Sequence, residues 1–317
     1  MDFINGFTFR LQRGKSHGFN DKETFAALQT LVESTACDTI ILAFGALQDT
    51  PQSEHIDYVG DFIPTDEELS NVIRYAREEL GVRVILKPML NCRNGVWRAH
   101  INFFDLEVPC EPKWSEWFAS YSDYILHFAK VAEDTHCEMF MIGCELVQTE
   151  RKEDYWRTLV AKVRGIYKGP LTYNTDKYQE AEVKWWDCLD VISSSGYYPQ
   201  SRFEENLDRI DKVVRKYGKP FFFAECGCMC RVGCNEVPND WSFQGKTDMQ
   251  VQADYYRVMF EECRKRDWME GFGCWDWVSN YLEYPIDNSE YSVYQKPACE
   301  VIRDFYNRDR KLYNRKD

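Results

Sequence analysis

Short runs of mostly apolar residues alternate with longer amphipathic stretches along the whole chain. The short runs have the length and the β-branched and aromatic composition of buried strands. They predict eight strands, over residues 6–10, 39–44, 83–89, 138–144, 171–174, 191–196, 220–226 and 271–275. The stretches between them predict helices over residues 21–36, 66–80, 114–135, 151–167, 202–217 and 248–267, a shorter helix near 181–187, and a last helix after Pro297.

Local signals mark where several of these helices begin and end. Thr65 precedes three acidic residues, so a capping hydroxyl and negative charges lie at the free amides and positive dipole end of the next helix. Gly81, Gly169 and Gly218 follow helical runs, where a residue in a left-handed conformation can end a helix. Each helix then returns to a strand within a few residues, as parallel strands joined by crossovers require.

Eight strand–helix units in about 300 residues predict the α/β class and a (β/α)8 TIM barrel that forms one catalytic domain over residues 1–317. An open doubly wound sheet is the alternative, but it more often has five or six strands and a glycine-rich phosphate loop. Neither a G-x-G-x-x-G nor a G-x-x-x-x-G-K-[ST] motif occurs.

Charge and composition narrow the class of partner. The chain of 317 residues has 39 basic and 52 acidic side chains, and its net charge of −13 disfavours nucleic acid and anionic lipid. The N-terminus lacks the layout of a signal peptide, and no apolar run is long enough for a membrane span. We therefore expect a cytoplasmic protein whose 13 cysteines are thiols. A signal peptide removed from the natural chain would reverse this expectation.

Two glutamates stand out at the ends of predicted strands. Glu145 follows the apolar run MFMIGC and Glu225 follows FFFA. Functional residues of α/β barrels lie at the C-terminal ends of the strands. A buried strand therefore delivers each carboxyl group into a pocket, where neighbours can separate the two pKa values as acid–base chemistry requires. The alternative for either glutamate is a structural ion pair with a basic residue.

The order and spacing of several motifs resemble glycoside hydrolase family 113. These motifs are LKP on the third strand, GCEL on the fourth, WWDCLDVISSSGYYP through the sixth, AECG on the seventh and GCWDW on the eighth. The resemblance implies a cofactor-independent β-mannanase of clan A that cleaves β-1,4-mannosidic bonds with retention of configuration. It assigns Glu145 as general acid/base and Glu225 as nucleophile. Retention requires carboxyl groups about 5–5.5 Å apart.

The resemblance also suggests substrate-binding residues. Trp275 matches the floor of the subsite for the cleaved sugar, Trp277 lies two residues further on, and Tyr197 matches a tyrosine that hydrogen-bonds the nucleophile. Tyr198 would face a neighbouring subsite. For these aromatic residues the alternative is core packing.

Polar residues give further candidates. On the third strand, Lys87 and Asn91 are expected to reach the sugar site, and the alternative for Lys87 is a structural ion pair. Trp97 and Arg98 follow on a loop that could cover the cleft. Clan A enzymes commonly have Asn before the acid/base, where this chain has Cys144. Recognition of the sugar's 2-hydroxyl must therefore fall to another residue, with Asn174 as the candidate.

Other functions remain open from the sequence. A related clan A specificity, such as a β-glucosidase, a xylanase or a cellulase-like enzyme, is one alternative, and a non-catalytic carbohydrate-binding barrel is another. Cys226, Cys228, Cys230 and Cys234 could hold a metal, although their spacing matches no standard zinc or iron–sulfur motif. We expect a β-linked manno-oligosaccharide as partner. If the protein is cytoplasmic, its substrates are imported oligosaccharides.

Overall fold

The computed structural model describes residues 1–14 and 18–313. Eight parallel strands close into a barrel in the order of the sequence, which confirms the predicted fold class. The strands are β1 (Ile4–Arg10), β2 (Thr39–Gln48), β3 (Arg83–Cys92), β4 (Met139–Cys144), β5 (Leu171–Thr175), β6 (Val191–Ser195), β7 (Phe221–Cys226) and β8 (Met269–Val278). Strands β2, β3 and β8 run three or four residues beyond their predicted ends, toward the rim that carries the site.

Helices follow the strands around the outside of the barrel. They are α1 (Lys22–Thr35), α2 (Asp66–Arg74), α3 (Trp114–Asp134), α4 (Glu153–Ile166), α5 (Phe203–Tyr217), α6 (Met249–Cys263) and α7 (Pro297–Tyr313). Helix α2 continues as a π-helical turn over Tyr75–Glu79, and α6 ends four residues before its predicted end. No helix in the described part of the chain is both long and apolar enough to cross a membrane.

The short helix predicted near residues 181–187 is wrong. This segment forms turns followed by a single 3₁₀ turn, Trp186–Cys188. Val183, Trp185 and Trp186 are all fully buried there. Two adjacent buried tryptophans do not share one face of a helix, since helical neighbours on one face are three or four residues apart. Packing of the indole rings against the barrel therefore determines the local backbone.

Most of the predicted helix ends are confirmed. The Thr65 hydroxyl accepts from the amide of Glu68, and the Glu68 carboxylate accepts from the amide of Thr65, which forms a capping box. Gly218 ends α5 at a φ of 62°. Gly81 is likewise left-handed, but Gly169 is not. Helix α4 ends before Gly169, at Tyr167 in an extended conformation.

Two separate apolar layers support the barrel. The larger one lies between the strands and the helices and contains most of the aromatic residues. The smaller one fills the barrel interior and consists of Ile4, Ile41, Ile85, Met139, Met141, Val191, Phe222 and Ala224. Successive residues of a strand point to opposite faces of the sheet. Inward-pointing residues near the C-terminal ends of the strands therefore form the floor of the open rim.

Close packing around β4 predicts an asymmetric response to two glycine substitutions. A Cβ atom at Gly143 would lie 2.8 Å from the Tyr121 hydroxyl and 2.9 Å from the Tyr173 ring, whereas one at Gly165, on the exposed side of α4, would meet nothing within 4 Å. We expect Gly143→Ala to lower the free energy of unfolding by about 1–3 kcal/mol through overpacking. Gly165→Ala should raise it by up to about 1 kcal/mol, because it stabilises the helix. Denaturant unfolding measures both; equal effects would contradict this account.

Candidate active site

Glu145 follows β4 directly and points into the barrel rim. Regular alternation from Met139 and Met141 does not place it there, because the pairing of β4 with β5 shifts register between Met141 and Cys144, and Gly143 faces the outer layer. Its φ is 52°, a left-handed conformation that is costly for a residue with a side chain. The amide of Glu145 donates to the carbonyl of Asn174 at 2.7 Å, which ties the turn to β5. A strained but anchored backbone thus fixes the direction of this carboxyl group.

Glu225 reaches the same rim through an irregularity in the sheet. In regular alternation it would follow Phe223, which packs outside the barrel, whereas Ala224 lies inside. The pairing of β7 with both neighbouring strands shifts register here, at Ser194/Ser195 of β6 and between Phe223 and Cys226 against β8. Such a bulge re-aims a side chain. As a result, Glu225 lines the cleft together with Glu145.

The environment of Glu225 favours its ionised form. Lys87 donates to its Oε1, Cys144 Sγ donates to the same oxygen at 3.4 Å, and the Tyr197 hydroxyl donates to Oε2 at 3.0 Å. Burial alone would raise the pKa of Glu225, but the charge and hydrogen bond of Lys87, together with the charge of Arg98 and the hydrogen bond of Cys144, leave the pKa below its usual value. The carboxylate is therefore charged at neutral pH and held through both oxygens.

Lys87 is fully buried and also donates to Asn174 Oδ1, at 2.9 Å. Burial would lower the pKa of Lys87, but nearby groups, including the Glu225 carboxylate, leave it above its usual value. Asn174 Nδ2 donates to the Thr175 carbonyl at 2.9 Å and to Ser195 Oγ at 3.0 Å. The amide of Asn174 is thus fully engaged beneath the cleft.

Glu145 has a different set of partners. Ser195 Oγ donates to its Oε1 at 2.7 Å, while Arg98 Nη1 at 3.1 Å and Trp97 Nε1 at 3.3 Å donate to Oε2. Arg98 is anchored by the Leu90 carbonyl and by Asn91 Oδ1, at 2.8 Å each. The loop after β3 therefore covers the cleft and contacts the carboxyl group of Glu145.

Both carboxyl groups open into one cavity of about 750 Å³ at the rim. Trp275 lines it, with the Arg10 guanidinium 5.3 Å from the centre of its ring. Asp176 at the end of β5 also lines it, and burial together with the negative charge of Glu145 raises its pKa to about 7. The size and the mixture of aromatic and polar walls are typical of a small-molecule site.

The structure brings together some of the predicted site residues and separates others. Glu145, Glu225, Tyr197, Trp275, Asn91, Trp97 and Arg98 line the cleft. Lys87 and Asn174 lie beneath it and contact the glutamates or their partners. Cleft residues that the sequence analysis did not single out are Arg10, Gln12, Asp176, Lys177, Asn239 and Trp241. Arg10 and Asp176 do occupy strand ends, whereas Asn239 and Trp241 come from a long loop without periodicity.

Tyr198 and Trp277 do not line this cleft. Tyr198 is fully buried, points away from its neighbour Tyr197, and hydrogen-bonds Glu180. Trp277 is in register with Phe9 of β1 and contacts Phe7 edge-on, after a shift in the pairing between Phe7 and Phe9. The register shift explains the position of Trp277, whereas Tyr198 lies beyond the end of β6.

The cysteines after β7 do not form a metal site. In the described part of the chain, no group of three or more His, Cys, Asp or Glu residues is arranged to hold an ion. Cys228 Sγ donates to the Met229 carbonyl at 3.2 Å, and Cys230 Sγ donates to the Asn288 carbonyl at 3.2 Å. The side chains of Cys228 and Cys234 also hydrogen-bond each other, so two of the four thiols meet, but they do not gather a third ligand.

Comparison with known proteins agrees with this geometry. The model of Glycoside Hydrolase Family 113 matches residues 6–296. The chain belongs to glycoside hydrolase family 113. A solved structure described as a complex of a GH113 β-1,4-mannanase is 51% identical over 97% of this chain and 99% of its own, with a TM-score of 0.92.

Two other solved structures are similar to this hydrolase. The GH113 β-mannanase AaManA from Alicyclobacillus acidocaldarius, in complex with ManMIm, is 35% identical over 97% of this chain and 98% of its own, with a TM-score of 0.91. A β-glucuronidase from Ruminococcus gnavus, 14% identical over 96% of this chain and 50% of its own, has a TM-score of 0.66 and shows the fold alone. No match is found among proteins of curated function.

The buried pair of Lys87 and Glu225 predicts how the pH profile of this glycoside hydrolase responds to substitution. In Lys87→Met the carboxyl group stays buried without its cation, so the pKa of Glu225 should rise. We expect the acidic limb of kcat/KM to move to higher pH, because that limb reports ionisation of free enzyme. Lys87→Arg, which keeps the charge, is the control. An unmoved acidic limb in a folded Lys87→Met variant would show that Lys87 does not set the charge of Glu225.

Proposed function

We propose that this protein is a retaining β-1,4-mannanase that acts on mannan-derived oligosaccharides by double displacement. The observation that carries the proposal is the contrast between its two cleft glutamates. Glu225 is held as a carboxylate by Lys87 and Tyr197, whereas Glu145 faces the same cavity from β4 and is contacted by Arg98 and Ser195. The family and the β-1,4-mannanases that resemble the chain over nearly its full length support the choice of substrate.

Glu225 is the proposed nucleophile. Its carboxylate attacks the anomeric carbon, and the bond from that carbon to the glycosidic oxygen breaks. The negative charge of the nucleophile disappears when the glycosyl-enzyme forms, so Lys87 and Tyr197 must stabilise the carboxylate without holding it too tightly for attack. The hydrogen bond from Tyr197 to Oε2 fixes the plane of the carboxylate during this step.

Glu145 is the proposed general acid and base. In the first step its proton passes to the departing glycosidic oxygen. In the second step the Glu145 carboxylate takes a proton from water, the resulting oxygen attacks the anomeric carbon, and the ester bond to Glu225 breaks with restoration of the β configuration. Arg98, Trp97 and Ser195 stabilise the carboxylate that exists between the two steps.

Sugar recognition is assigned to the groups that face the cleft. Trp275 provides an apolar surface for the C–H face of the sugar at the cleavage point, and Asn91 and Arg98 supply polar contacts on the β3 side. Asn174 is not available for the 2-hydroxyl, because Lys87, Ser195 and Thr175 already occupy its amide. In the proposed mechanism, Asn174 instead positions Lys87 and Ser195, which hydrogen-bond Glu225 and Glu145.

Substrate and stereochemistry are tested together. Purified protein incubated with mannotriose to mannohexaose should release shorter sugars whose first-formed anomer is β, as followed by proton NMR. An initial α anomer would refute the double displacement. The protein would have another clan A specificity if it turned over aryl glucosides, xylosides or cellobiosides but no β-manno-oligosaccharide.

The two carboxyl roles predict opposite products on chemical rescue. Glu225→Ala and Glu145→Ala should each lower kcat by several orders of magnitude. With an activated aryl β-mannoside, azide should restore turnover of Glu225→Ala with an α-mannosyl azide as product, because it replaces the missing nucleophile. In Glu145→Ala, azide should intercept the glycosyl-enzyme and give the β-mannosyl azide. Rescue with the same anomer in both variants would contradict the assignment.

A further inference from the structure

A second cavity of about 190 Å³ lies beside the catalytic cleft, between the loops that follow β7 and β8. Arg10 and Trp241 line both cavities and therefore form the partition between them. We call this second cavity the side chamber; its other walls are Asp276, Trp277, Val278, Tyr281, Tyr284, Asn288, Glu290, Tyr291 and Ser292. A ligand bound over Trp275 could thus extend past the partition without leaving the protein.

The walls of the side chamber combine aromatic surface with polar groups. Trp241 packs against Tyr291 with their ring centres 4.6 Å apart, and Trp277 packs against Tyr281 at 5.1 Å. Trp241 and Tyr284 are 58% and 49% exposed, so aromatic surface remains open to a ligand. Flat aromatic surface next to hydrogen-bonding groups suits a sugar ring, which has apolar C–H faces and a rim of hydroxyls.

Charge in the side chamber is balanced. The buried Asp276 carboxyl is paired with Arg10, and Glu290 Oε1 accepts from Arg231 Nη2 at 2.6 Å. Each carboxylate in the wall therefore has its own guanidinium, and neither is left to attract a cation or repel an anion. A neutral ligand is the class that this arrangement accepts without disrupting either pair.

We propose that the side chamber is an accessory subsite that binds one neutral pyranose unit of the substrate while another unit lies in the catalytic cleft. Its volume is below the roughly 300–1,000 Å³ of pockets for drug-sized ligands, so it holds a single ring. The proposal rests on the glycoside hydrolase function proposed above. The ring belongs either to the mannan main chain or to a galactosyl branch, which share the same chemistry.

Filling the side chamber tests the proposal without touching the catalytic groups. Ser292→Trp places a large ring in it, and Ser292→Ala is the matched control. We expect Ser292→Trp to lower kcat/KM at least about tenfold on substrates that reach the chamber and to leave kcat/KM unchanged on an aryl β-mannoside. A loss that begins at a certain length of the linear mannotriose to mannohexaose series assigns a main-chain unit. A loss confined to galactosyl-branched mannopentaose assigns a branch.

A second pair of variants distinguishes loss of the subsite from a folding defect. Tyr284→Ala removes exposed aromatic surface, and Tyr284→Phe retains it, so only the alanine variant should raise KM for the substrates affected by Ser292→Trp. Equal kcat/KM for wild type and both chamber variants on all substrates would overturn the subsite, as would an equal loss on the aryl mannoside. Failure of the proposed function is distinguishable, because the wild-type protein itself would then turn over none of these mannosides.

Discussion

The ion pair between Lys87 and Glu225 is the interaction on which the site depends. Both side chains are buried, so removing either partner would leave an uncompensated charge at a cost of about 3–5 kcal/mol. Two buried charges contribute little net stability compared with apolar residues of similar size. The pair is better understood as a functional requirement, since it keeps a carboxylate charged in a place where burial alone would raise its pKa.

The same lysine connects the two catalytic candidates through hydrogen bonds. Lys87 donates to Asn174, whose amide donates to Ser195, whose hydroxyl donates to Glu145. Strands β3, β5 and β6 thus carry a continuous polar layer above the apolar barrel interior. Such a layer works only if every member is satisfied, because a buried polar group without a partner is costly. This requirement explains why the amide of Asn174 is engaged within the layer.

The sequence predicted the barrel and most of its helices because their apolar periodicity is long and repeated. It also placed Glu145 and Glu225 at strand ends. It could not predict the bulges in β7 and β8, which arise from pairing between distant strands and decide that Glu225 and Trp275 face the cleft while Trp277 does not. The sequence could not predict Trp241 as a cleft residue either, because its loop has no periodic pattern and is positioned by contact with Tyr291.

Cys144 shows how a departure from the clan's usual residue fits this network. Its thiol donates to Glu225 Oε1 and lies 3.6 Å from Arg98 Nη1, so it lies between Glu225 and the arginine that contacts Glu145. Burial raises the pKa of Cys144 well above its usual value, which keeps the thiol neutral next to Glu225. A neutral thiol adds only a weak hydrogen bond to the nucleophile. Stabilisation of the proposed nucleophile therefore falls mainly to Lys87 and Tyr197, and we propose that polar contact with the sugar on this side falls to the Arg98 loop.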